Sequence, residues 1–203
     1  MGVRSFIALI AAAAACSTAP RPKEPLRGQD GVPVTGRARF DNHFQQARRL
    51  DELADGLEAR VRALSEPLAT ALDLPRSAPT DDLAAALRKV FKRAARLGAG
   101  ALPPRLREPI DVAARVSSDA AALRPELRDA AGKGRAMIAQ NDALRATAAK
   151  TFARQGKVYA ASVEREVVDT GRRLRDLVAL LEAADAFTGT FQAQLLAAAA
   201  LVN

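Results

Sequence analysis

The sequence predicts an all-α fold, a helical bundle of four to five helices, and three observations carry that expectation. Among the 203 residues are 47 Ala, 25 Arg and 24 Leu, against seven Phe, one Tyr and no Trp. Ala is the strongest helix former and Leu and Arg follow closely, whereas the aromatic and β-branched residues that suit a pleated sheet are scarce. Apolar residues then recur at alternating steps of three and four over most of the chain beyond residue 38, the period of a one-sided helix. Finally, Pro and Gly punctuate these periodic stretches at 75–79 and 98–104. One Cys and one His leave no material for a disulfide framework, a Cys-rich or His-based metal cluster, or a CxxC redox site.

Residues 1–15 place Arg4 before an unbroken apolar run from Phe6 to Ala15. A positive start followed by a short apolar stretch is the pattern of a secretory signal, and the run is too short for the roughly 20 residues a spanning helix needs. Ala13, Ala14 and Ala15 lead directly into Cys16, the only cysteine. In these residues the chain resembles a bacterial lipoprotein precursor, in which small residues precede a cysteine that becomes the first residue of the mature protein and carries acyl chains. The resemblance covers about the first 18 residues, and Ala13 stands where such precursors usually have Leu. It implies a lipidated Cys16, and Ser17 in place of an aspartate implies the outer membrane, facing the periplasm. Each buried methylene of an acyl chain adds about 0.8 kcal/mol of membrane affinity, so several chains on one cysteine give stable attachment.

Residues 16–37 read as the lipidated cysteine and a flexible tether. Pro20, Pro22, Pro25 and Pro33 with Gly28, Gly31 and Gly36 leave little apolar surface to offset ordering entropy. Residues 38–203 then form a single helical-bundle domain. Loss of residues 1–15 removes Arg4 and no acid, lowering the formal charge from +8 to +7. An exported chain with no aromatics interleaved among its bases is not a candidate for nucleic acid. Its excess charge suits either a soluble helical surface or contact with anionic lipid headgroups, lipopolysaccharide phosphates or acidic wall polymers.

The first helical pattern runs from near Phe40 through Phe44, Leu50, Leu53, Leu57, Val61 and Leu64 to Leu72. Pro67 must kink or restart it, with Ser65 as the candidate cap of a second helix. A shorter helix follows, with Thr80 as N-cap, Asp81 and Asp82 in its first turn and Gly98 beyond Leu97. Its apolar face is Leu83, Leu87, Val90, Phe91 and Ala94; its opposite face carries Arg88, Lys89, Lys92, Arg93 and Arg96, the densest charge cluster in the chain. That cluster is either a contact for an anionic surface or a simple complement to the helix dipole.

A long seam of small residues spans 109–154, through Ala113, Val116, Ala120, Leu123, Leu127, Ala130, Gly134, Met137, Asn141, Leu144, Ala148 and Thr151. Its steps of three and four are coiled-coil-like. Pro125, Gly132 and Gly134 predict a break within 124–134. Unbroken, the helix makes the molecule elongated; folded back, it gives a compact bundle. A last pattern beyond Gly156 repeats the rule from Val163 to Val202, with Thr188-Gly189-Thr190 as an expected interruption. The two longest segments should be antiparallel neighbours.

No catalytic constellation emerges. His43 has a single carboxylate near it, far short of a ligand set, and a helix-start cap by Asp41 or Asn42 explains that polar pair better. Asn141 in an apolar seam can fix helix register. No glycine-rich phosphate loop follows a strand, so no cofactor or metal is expected. The sequence therefore points to a non-enzymatic, lipid-anchored envelope protein acting as a structural or adaptor module with an envelope protein partner. The alternative is a periplasmic chaperone-like bundle or a carrier of lipid or apolar ligand.

Overall fold

A computed structural model describes residues 23–97 and 102–200. They form an all-α bundle: α1 (Ala38–Ala63), α2 (Glu66–Ala71), α3 (Thr80–Leu97), α4 (Pro104–Thr151) and α5 (Lys157–Ala199). The sole sheet among the described residues pairs β1 (Leu26–Arg27) with β2 (Pro33–Val34), antiparallel, with Leu26 opposite Val34.

The frame is the α4–α5 hairpin. With 48 and 43 residues, at 1.5 Å per residue these helices are about 72 and 65 Å long, so the molecule is elongated. They meet at a 3-10 turn, Ala153–Gln155, followed by Gly156 at φ 109° and ψ 156°, a conformation that needs glycine. The seam positions expected on α4 are buried from Ala113 to Ala148, and the last, Thr151, is half-buried where the helix ends. α1 runs antiparallel to α4, because His43 meets Asn141, Leu50 lies over Gly134 and Arg60 reaches Glu126. α3 packs on both long helices farther along, its start tied to α5 where the Gln194 amide donates to Asp81 at 2.7 Å.

The expected break at 124–134 does not occur. Pro125 lies on the exposed face of α4, where the carbonyl it strands can bond water, while Leu123 and Leu127 beside it are buried. Interhelical ion pairs brace the same turn: Arg124 and Arg128 both hold Asp185 at 2.9 Å, and Arg60 holds Glu126. Gly134 is a packing requirement, since a Cβ there would lie 2.5 Å from Val178. The interruption expected at 188–190 is absent too. The Thr188 and Thr190 hydroxyls donate to the Ala184 and Ala186 carbonyls one turn back, at 2.7 and 3.0 Å. Gly189 leaves room for the Arg124 guanidinium, 2.9 Å from where a Cβ would stand.

The tether differs from expectation in its second half. Residues 23–37 are folded onto the bundle: Val32 is buried, the turn is closed by Gly28 N–H to Val32 O at 2.9 Å, and Arg27 pairs with Glu166 of α5. Asp41 accepts from the Thr35 backbone at 2.6 Å and from its hydroxyl at 2.8 Å, which locks the strap to the start of α1. Two proline-rich flanks thus gain an apolar anchor and a carboxylate clasp that composition does not reveal.

Restart at Pro67 is observed: α1 ends at Ala63 and α2 begins at Glu66. Ser65 makes no side-chain cap bond. α2 closes in a Schellman pattern, with Leu74 N–H to Ala69 O at 2.9 Å and Asp73 N–H to Thr70 O at 3.2 Å, Asp73 taking the left-handed φ of 56°. Thr80 proves to be the first helical residue of α3 and not its cap, since the Pro79 carbonyl receives the first helical bonds. Gly98 and Val202 lie outside the described residues, as do the signal segment, Cys16 and residues 17–22.

Two clusters make up the core. The larger follows the α4–α5 seam under α1, α2 and α3. The smaller gathers Val32, Phe40, Phe44, Phe152 and Tyr159 at the hairpin's turn, where the Phe40 and Phe152 rings meet edge-on at 4.9 Å and Phe152 and Tyr159 at 5.8 Å.

Candidate functional site

The basic face of α3 is built by two superposed periods. Leu83, Ala84, Leu87, Phe91 and Ala94 are buried against the bundle. That turns Arg88, Lys89, Lys92, Arg93 and Arg96 outward, and all five are exposed. Among the described residues none of the five forms an ion pair. Arg88 only returns its Nε to the Ala84 carbonyl at 3.2 Å. Some arginines elsewhere, those at 48, 60, 62, 124, 128 and 135, hold a carboxylate, while others, such as Arg49 and Arg115, stand exposed without one among the described residues, as the α3 bases do; what sets α3 apart is five such bases on one short face.

Helix-dipole compensation does not account for this cluster. It acts within the last turn, where α3 has Arg96; Arg88 and Lys89 sit at mid-helix. There, like charges at spacings of four (Arg88 with Lys92, Lys89 with Arg93, Lys92 with Arg96) oppose the helix by a few tenths of a kcal/mol each. The arrangement is a convex cationic strip able to meet an extended anion through several weak contacts, screened by salt.

His43 and Asn141 come together in a way the sequence did not disclose. The His43 ring is wholly buried and its Nε2 lies 2.9 Å from Asn141 Oδ1, while Nδ1 has no partner. Asn141 is buried over Gly171, where a Cβ would lie 2.3 Å from its amide nitrogen. Sealed from solvent at the junction of α1, α4 and α5, the pair ties α1 to α4 through one buried hydrogen bond. The expected cap by Asp41 or Asn42 is not formed: α1 begins earlier, at Ala38 after Arg37, and Asp41, already within the first turn, accepts from the Thr35 backbone and hydroxyl. No cluster of three or more His, Cys, Asp or Glu able to hold a metal occurs among the described residues, and no described helix is long and apolar enough to cross a membrane.

Electrostatics elsewhere are structural. Burial works against the Asp185 carboxylate, but bonds from Arg128 and Arg124 outweigh it and hold its carboxyl below the ordinary value. The Arg60 bond likewise lowers Glu126. Burial, with the charge of Asp41 behind it, pushes the Tyr159 phenol up.

Two surface openings lie apart from α3. A crevice of about 150 Å³ between the strap and α1 and α5 mixes Arg27, Arg48 and Arg173 with Asp30, Glu166 and Asp169. A larger groove of about 450 Å³ lies between α1 and α4 and includes Leu53, which the sequence period assigns to the core but which is 43% exposed. Comparison of the chain with protein-family models, with curated proteins and with solved structures gives no match.

Proposed function

We propose that this chain is a non-enzymatic, lipid-anchored protein of the bacterial cell envelope, held by acyl chains on Cys16 at the periplasmic face of the outer membrane and acting as a structural or adaptor module. The observation that carries the adaptor role is the uncompensated cationic strip of α3. A helix that keeps five exposed bases without an acid to answer them, at some cost to itself, suits an external anion. Its placement supports the same reading. The strap, next to the end that would bear the anchor, is fastened to α5 at Glu166, and α3 is fastened to α5 at Gln194. Those 28 positions correspond to about 42 Å along the helix, so the points at which the strap and the start of α3 are fastened to α5 are well separated.

The anion is a phosphate or carboxylate array of the envelope: lipid headgroups, lipopolysaccharide or an acidic wall polymer. A lipid carrier is less well supported, because the openings of about 450 and 290 Å³ are surface grooves between helices. The test is crosslinking in the native envelope. Replacing Arg88, Lys89, Lys92, Arg93 and Arg96 by Gln should abolish adducts on α3 while leaving membrane attachment intact. Adducts unchanged by the replacement would refute the role given to α3.

A further inference from the structure

We infer that the outer groove between α1 and α4 docks an amphipathic helix of a partner protein, with acidic residues flanking its apolar face; this rests on the adaptor reading and names its protein contact. The groove, about 450 Å³, has Leu50 and Met137 as its floor and Leu53 and Ala136 on its lips, with Arg49 contributed by α1 and Lys133 by α4. It is open and apolar between two helices, the shape in which a helix lays residues spaced i, i+3, i+4 and i+7. The Arg60–Glu126 bridge joins α1 to α4 about two turns farther along.

Two glycines point to the same occupant. Gly134, Gly171 and Gly189 each have a packing reason within the fold, with a Cβ meeting a neighbour at 2.5, 2.3 and 2.9 Å. Gly56 and Gly132 have none: a Cβ at either would meet nothing within 4 Å. Gly56 follows Leu53 by three and Gly132 precedes Ala136 by four, so each continues a wall of the groove. Glycine in a helix interior is unfavourable relative to Ala, and no neighbour within the fold excludes a Cβ at these two. Close approach of another backbone gives them a use.

Charge selects the partner. Arg49 has no ion pair among the described residues, and Lys133 has only the exposed Asp129, one turn away on its own helix. A second copy docking through the same face would set these cations against each other, whereas carboxylates flanking a partner's apolar stripe would meet both.

The probe is a fluorescent 18-residue peptide with a Leu seam flanked by Glu, compared with the same peptide flanked by Lys. Each is titrated by anisotropy against the full chain in phosphatidylcholine nanodiscs, with empty discs as reference. The Glu peptide should bind at least tenfold more tightly than the Lys peptide. Leu53→Lys should weaken it at least tenfold, and Gly56→Ala with Gly132→Ala should weaken it while raising the thermal midpoint. The preference for Glu and the sensitivity to Leu53→Lys should both persist when the five α3 bases are replaced by Gln, a background in which the cationic strip cannot hold the peptide. Equal affinity for the two peptides, insensitivity to Leu53→Lys, or loss of either effect in the α3 variant would overturn the proposal. A chain without an anchor is titrated in buffer alone, so failure of the groove and failure of the anchored-adaptor reading are observed separately.

Discussion

Phe152→Ala should destabilise the protein by about 3–5 kcal/mol, the range for deleting a buried aromatic. Phe152 is fully buried where α4 ends, between the rings of Phe40 and Tyr159. Its ring is the point at which the strap, the start of α1 and both long helices share one small cluster with Val32, Leu144 and Val163. Around a deleted core side chain the neighbouring structure relaxes only partially, so a cavity term adds to the lost transfer energy. Against a usual total of about 5–15 kcal/mol, such a loss is a large fraction of the stability. Urea unfolding should show a lowered midpoint with little change in slope. Because the chain has one Tyr and no Trp, Tyr159 fluorescence reports this end of the bundle alone. In the variant its phenol, now raised by burial, should titrate closer to the ordinary tyrosine value.

Gly171→Ala should cost about 2–4 kcal/mol, combining overpacking with a broken buried hydrogen bond. The added methyl would stand 2.3 Å from Asn141 Nδ2 and 3.2 Å from its Cγ. Asn141 cannot withdraw without losing its 2.9 Å bond to His43, whose Nδ1 already lacks a partner in full burial. The clash and the bond are therefore one event, and a double-mutant cycle should reveal it. Asn141→Ala combined with Gly171→Ala should be less destabilising than the sum of the single changes, by more than the few tenths of a kcal/mol typical of independent sites. Additive losses would mean that α5 moves away as a unit instead.

The helical period made most of this fold legible. Leu50, Leu57, Val61, Leu83, Leu87 and the α4 seam are buried where three-and-four spacing places them. Local rules failed where tertiary contacts override them. Pro125 reads as a break, yet its ring faces solvent and three interhelical ion pairs brace its turn. Thr188 and Thr190 read as an interruption, yet their hydroxyls bond within the helix. The strap is invisible to composition because it depends on Val32 reaching a distant aromatic cluster and on Arg27 reaching Glu166.

Of the candidate site, the cationic face of α3 was legible residue by residue, because an 18-residue amphipathic helix has only one way to bury Leu83, Leu87 and Phe91. The absence of answering acids was not, since ion pairs such as Arg60 with Glu126 join residues 66 positions apart. His43 illustrates the same limit. Its neighbour in the fold, Asn141, lies 98 positions away, and nothing near His43 in sequence indicates burial. Leu53 is the converse: it keeps the core period but stands at the lip of a groove, because Ala136 and the adjacent glycines leave it uncovered.

The most direct test of the proposed anchoring is the intact mass and fractionation of the protein purified from bacterial envelopes, beside Cys16→Ser. The account predicts a membrane-bound chain that begins at Cys16, lacks residues 1–15 and carries the added mass of acyl chains, with Cys16→Ser released from the mature membrane form. An unmodified Cys16 in the wild-type protein, or a Cys16→Ser variant that stays in the membrane fraction unchanged, would contradict it.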